Sequence, residues 1–189
     1  MRWKITSLIV MTAALLCACD HSVDDKLAAI KAAERSLDMA PAVFAEKFNQ
    51  TLPEVLFRTK GPGSASRRMA RLYVMDVDRF LTNDQPRVFE ISVGMTHTTL
   101  LGSMTTEGKL KTVGVLLTER TQAARDEFFL CAEATGKVFV NEALLPTITR
   151  LTNSALDFPG QRATEVIGDK VFSTEVTGQG LLFQIGQKQ

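Results

Sequence analysis

The spacing of apolar residues changes along this chain, and each change predicts an element. Val43, Phe44, Phe48 and Leu52 recur at helical spacing. They predict a core-facing helix with Asp38 as its cap and Pro41 in its first turn, ended by Pro53. Gly61-Pro62-Gly63-Ser64 reads as a loop. From Arg71 to Val77 the pattern alternates, with Leu72 and Val74 on one side and Tyr73, Met75 and Val77 on the other, which predicts a strand. Val88–Met95 alternates again, through Phe89, Ile91, Val93 and Met95. The stretches TTLLGSMT and KLKTVGVLL flank Glu107-Gly108, a hairpin signal. These four segments predict an antiparallel meander.

The period then lengthens. Arg120–Lys137 predicts a helix stopped at Gly136. Leu144, Ile148, Leu151 and Ala155 form one stripe of a further helix, with Pro146 tolerable in its first turn. KVFSTEV and GLLFQIG flank Thr177-Gly178-Gln179, a second hairpin. Strands grouped together, then helices, then a hairpin argue for an α+β fold. The expected architecture is one antiparallel sheet of five or six strands, with helices packed on one face and the other face open to solvent or a partner.

The N-terminus has a different character. Arg2 and Lys4 precede fourteen uncharged residues, Ile5–Ala18, and Asp20, Asp24 and Asp25 follow. A membrane-spanning helix needs about 20 apolar residues. A charged start and an apolar run of this length instead describe an export signal. Small residues at the A-x-A positions of ordinary signal peptidase fit poorly here. Leu16-Cys17-Ala18-Cys19 instead resembles the lipobox of bacterial lipoproteins, which has Leu three residues before an obligatory Cys and small residues between. Cys19 has the required neighbours, whereas Cys17 would need Leu at position 14, where Ala14 stands.

The resemblance implies a diacylglycerol thioether on Cys19, cleavage after Ala18 and acylation of the new amine. Several acyl chains, at about 0.8 kcal/mol per buried methylene, make a stable membrane anchor. It also implies an envelope location facing the periplasm, with Asp20 favouring the inner over the outer membrane. The expected organisation is a signal peptide over 1–18, a lipid-anchored tether and helix over 19–37, and one α+β domain over 38–189. Ser22, Asp24 and Asp25 start the tether helix, and Leu27, Ile30 and Ala33 give it only a weak apolar face.

Composition narrows the function classes. With 45% hydrophobic and 23% charged residues, the chain has the make-up of a folded protein rather than a disordered one. A net charge of +1 provides no basic field for nucleic acid. Once Cys17 and Cys19 are assigned to the leader and the anchor, Cys131 is left without a disulfide partner. Its apolar setting, EFFLCAEA, reads as a buried, inert thiol.

Candidate chemistry is sparse. No zinc-ligand spacing, EF-hand loop, phosphate-binding loop or nucleophile elbow occurs, and no cofactor, metal or catalytic set is expected. Asp76 and Asp78 share a strand face, as paired carboxylates would, and read as a solvated strand end. Ser64, Ser66 and Ser103 have no base beside them in the sequence. The most uneven feature is a basic run, Arg58, Lys60, Arg67, Arg68 and Arg71, with no acid among them. On a tethered domain such a run contacts anionic head groups, at about 1 kcal/mol per charge near the surface, or steers an acidic partner. The expected function is a non-catalytic binding or accessory module for a protein or another envelope component. The alternative is a small envelope hydrolase that uses His97.

Overall fold

Hairpins whose inward positions are large and apolar build the sheet. The computed structural model describes residues 35–61, 63–80, 87–96, 98–140 and 143–188. The predicted signal peptide, residues 19–34 of the tether and its helix, Cys17, Cys19, Asp20 and His97 lie outside the described residues. Arg35, Ser36 and Leu37, the end of the predicted tether, are not helical, and Leu37 is buried in the core of the domain. β1 (Val88–Val93), β2 (Thr98–Met104) and β3 (Leu110–Leu117) form one meander. β4 (Ala163–Ile167), β5 (Lys170–Thr177) and β6 (Gly180–Gln187) form another. β3 pairs antiparallel with β6, which joins the two meanders into one six-stranded sheet of order β1-β2-β3-β6-β5-β4.

Among the described residues, four α-helices accompany the sheet. α1 (Pro41–Lys60) and α2 (Ser64–Ala70) precede the first meander, and α3 (Gln122–Lys137) and α4 (Leu145–Asp157) precede the second. The α+β class expected from the sequence is therefore the one observed. α3 packs on β2 and β3, α4 packs on β4, β5 and β6, and α1 packs across α3. Register explains which face is covered. Ile91, Leu100, Val115 and Phe183 lie side by side across four strands, as do Val113, Ile185 and Phe172 across three. All are buried. From Ser36 onward the chain forms one compact unit.

α3 is the central helix. Every residue from Leu130 to Gly136 is buried, because the helix has neighbours on several sides. Small residues allow this: Ala132, Ala134 and Gly136 let the adjacent elements approach closely. Gly136 thus lies inside the helix instead of stopping it, and a Cβ there would stand 2.3 Å from Leu144 Cδ1. The helix closes one residue later, where Phe139 and Val140 donate their N–H groups to the Gly136 carbonyl.

Several local expectations are corrected. Pro53 lies within α1 and does not end it. A proline inside a helix costs about 3 kcal/mol, and burial of Phe48, Leu52, Val55 and Leu56 on both sides of it offsets that cost. Asp38 is not the cap. Ala40 holds that position and Pro41 opens the helix, while Asp38 has a left-handed φ of 55° and pairs with Lys109. Ser64, read from the sequence as part of the loop, is the first residue of the helix α2.

Residues 71–77 are not a strand. They comprise a 3-10 turn, Arg71–Tyr73, an extended link, and the start of a second 3-10 turn, Val77–Phe80. The alternation of burial is nonetheless real, with Tyr73 and Met75 inside and Leu72 and Val74 exposed. The Asn49 side chain takes the place of a neighbouring strand: its Nδ2 donates to the Met75 carbonyl at 2.9 Å and its Oδ1 accepts from the Met75 N–H at 2.8 Å. Asp76 and Asp78 do not share a strand face; Asp76 Oδ1 accepts from the Asp78 N–H. The strand missing from the prediction is β4, an edge strand that buries little and holds one surface ion pair, Arg150–Glu165, with a second, Arg162–Glu175, linking the residue before it to β5. Its signal is Gly168-Asp169, a two-residue hairpin turn between Ile167 and Lys170.

Gly102 carries a packing constraint at the β1 edge. It lies opposite Phe89, and a Cβ there would fall 2.0 Å from the Phe89 ring. Phe80 meets the same ring edge-on, with centroids 5.1 Å apart. Gly102→Val is expected to displace the Phe89 ring and lower stability by about 1–3 kcal/mol, read as a lower midpoint in urea unfolding with an unchanged slope.

Candidate functional site

The most elaborate polar arrangement among the described residues centres on Glu127, at the α3 face turned toward Tyr73 and the β1–β2 turn. The residue is 5% exposed. Its Oε1 accepts from the Tyr73 hydroxyl at 3.0 Å and from the Met95 N–H at 2.7 Å. Its Oε2 accepts from the Thr96 N–H at 2.9 Å, from the Thr96 hydroxyl, and from the Thr98 hydroxyl at 3.3 Å. Successive backbone N–H groups and short hydroxyls thus wrap one carboxylate, a concave anion site built by a turn.

Gly94 makes the wrap possible. Its φ is 80°, and a Cβ there would stand 2.7 Å from Glu127 Oε2 and 2.7 Å from Tyr73 Cε1. Its N–H donates to the Leu72 carbonyl at 2.9 Å, which ties the turn to the 3-10 segment. Burial alone would raise the Glu127 pKa, but the hydrogen bonds from Thr96, Met95 and Tyr73 outweigh it and hold the carboxyl below its ordinary value. Burial first, then the hydrogen bond to Glu127 and after it the charge of that carboxylate, pushes the Tyr73 hydroxyl well above the usual tyrosine range. Burial likewise raises the Cys131 thiol, so Cys131 is a buried, protonated group rather than a nucleophile.

Beside this cluster lies a cavity of about 490 Å³. α1, α2, α3, α4 and the β1–β2 turn all contribute to its wall. Leu56, Met69, Met95, Phe129, Leu130 and Leu145 make much of the lining apolar, and Lys60, Asp126 and Thr149 stand exposed at its margin. Two carboxylates on α3, Glu127 and Glu133, also line it. Glu133 is 1% exposed. Its Oε1 accepts from Arg58, whose side chain remains half exposed, while its Oε2 is buried with no hydrogen-bond partner in the protein.

The basic run divides in two. Arg58 and Lys60 lie in the last turn of α1, where cations favour the helix dipole. Both face acids of α3: Arg58 binds Glu133, and Lys60 lies 4.0 Å from Asp126. Arg67, Arg68 and Arg71 are exposed on α2 and the turn after it. The five residues are therefore not one surface patch. Lys60 lines the cavity, Arg58 binds an acid of its wall, and the other three stand exposed on and just after α2.

Sequence reasoning missed Glu127, Glu133, Tyr73 and the cavity. The one available signal was a pair of acids within the apolar run of α3, positions where an unpaired carboxylate is costly. Comparison of the chain with family models, with curated proteins and with solved structures returned no match.

Tyr73 is the only tyrosine in the sequence, so its titration is directly readable. Its phenolate absorbance is expected to stay absent above pH 10 until the protein unfolds, and to appear at lower pH in Glu127→Gln. A folded pKa above the unfolded one contributes stability that is complete below pH of about 10 and lost as pH rises past it. Glu127 has the opposite sign. Its contribution is complete above the unfolded carboxylate value of about 4.3 and is lost as pH falls through its lower folded value. Glu127→Ala is expected to lower stability by about 3 kcal/mol or more near neutral pH, by stranding buried donors, and to flatten the acid limb of stability against pH.

Proposed function

We propose that this chain is a lipid-anchored envelope lipoprotein whose folded domain is a non-catalytic module that binds a protein or another envelope component. The anchor half of the reading is supported by Leu16-Cys17-Ala18-Cys19 behind a charged start and an apolar run. Asp20 favours the inner membrane, with the domain facing the periplasm.

The observation that carries the binding half is the cavity walled by the helices and the β1–β2 turn. It is large enough for a small ligand or a partner side chain, and its walls are mainly apolar. The ionisable groups beside it are suited to holding shape. A carboxylate with five hydrogen bonds and a lowered pKa is a poor proton acceptor. A phenol and a thiol with raised pKa values stay protonated. The exposed Arg67, Arg68 and Arg71 add a cationic surface for head groups or an acidic partner.

Cys19→Ser is expected to abolish labelling by a radioactive fatty acid and to release the chain from membranes or block its processing. Cys17→Ser keeps both label and membrane association. Label that survives Cys19→Ser overturns the anchor. Cross-linking in intact membranes is expected to recover the same partner repeatedly, and failure to do so across independent preparations counts against the binding module.

A further inference from the structure

We propose that the cavity between α1, α3 and α4 is a binding site for a small amphiphile: an apolar chain ending in one N–H or O–H donor, a protonated amine best of all. The inference rests on the reading of the domain as a binding module and specifies what the module takes.

Three observations carry it. First, Glu133 Oε2 is a buried carboxylate oxygen with no partner in the protein, on a residue that lines the cavity. Leaving such an atom unmet is costly. It has no surface open to water, so a ligand donor reaches it through a small shift of the cavity wall and then forms a charge-assisted hydrogen bond. Second, the cavity is about 490 Å³ and its wall is largely apolar, through Leu56, Met69, Phe129 and Leu130 among others. That suits an alkyl or aryl body and disfavours a highly polar solute. Third, the charges near it sum to an acid excess. Asp126, Glu127 and Glu133 stand against Lys60 and Arg58. Arg58 is already engaged with the other Glu133 oxygen, and Lys60 faces Asp126. An anionic head group would meet this acid excess, and Lys60 on the lining already faces Asp126, so amines are favoured over fatty carboxylates.

The test uses the full chain in lipid nanodiscs with labelled methionine methyl groups. Met69 and Met95 line the cavity, and the buried Met75 and Met104 serve as controls. Octylamine and octanol are expected to shift Met69 and Met95 saturably and to leave the controls in place. Octanoate is expected to bind at least about tenfold more weakly than octylamine, the scale of one hydrogen bond to a charged group. Glu133→Leu removes the preference for amine over carboxylate. If that variant does not fold, Glu133→Gln keeps an acceptor oxygen but loses the charge, so it weakens octylamine about tenfold and spares octanol. Thr149→Trp, at the exposed rim, blocks every probe. Equal binding of octanoate and octylamine, an unchanged preference in the Glu133 variants, or no saturable shift overturns the inference. Cys19 labelling and membrane cross-linking are separate readouts, so the binding-module reading stands or falls apart from this result.

Discussion

Much of the structure depends on one carboxylate, Glu127, and on the five donors that hold it. The residue sits on the central helix. The donors come from a 3-10 turn before the sheet, from the turn between the first two strands, and from Thr98, the first residue of β2. The two turns have little regular hydrogen bonding of their own. A buried charge is tolerable when its lone pairs are filled, and filling them fixes where Tyr73, Met95 and Thr96 stand. The apolar core brings α3 to the sheet, and the carboxylate sets how the irregular connections close over the end of it.

The cavity is a by-product of that closure. Tyr73 and Met95, held through Glu127, form one side of its wall, and α1 and α4 form the others. Glu127 and Glu133 lie on one helix and play opposite parts. The first is saturated by the protein. The second has one oxygen bound to an arginine and one unmet. That asymmetry separates a carboxylate that builds structure from one with capacity left for a ligand.

Regular elements with strong periodicity were legible in the sequence. The β2–β3 and β5–β6 hairpins fall where Glu107-Gly108 and Thr177-Gly178-Gln179 place them, and the α4 stripe is buried as its spacing predicts. Errors arose where tertiary contacts imitated or masked a local signal. Met75 alternates like a strand residue because Asn49 supplies the missing ladder. Gly136 looks like a stop because its packing role against Leu144 is invisible in one dimension. β4 was missed because an edge strand stabilised by surface charges has no apolar stripe. The site was hidden more deeply. Glu127 and its hydroxyl and backbone donors are separated by about thirty residues or more, and nothing local marks an acid that will be buried and satisfied from afar.

Leu37 is a buried residue that donates its N–H to the Leu110 carbonyl, and Leu110 donates in turn to the Met39 carbonyl. Lys109 grips Asp38 between them. The chain leading in from the N-terminal side is thus stitched to the first residue of β3, an interior strand with β2 and β6 on its flanks. Under the lipid anchor proposed for Cys19, this stitch would be a mechanical joint. Tension on the N-terminal side would enter through the middle of the sheet, where neighbouring strands share the load, and the edge strands would be spared.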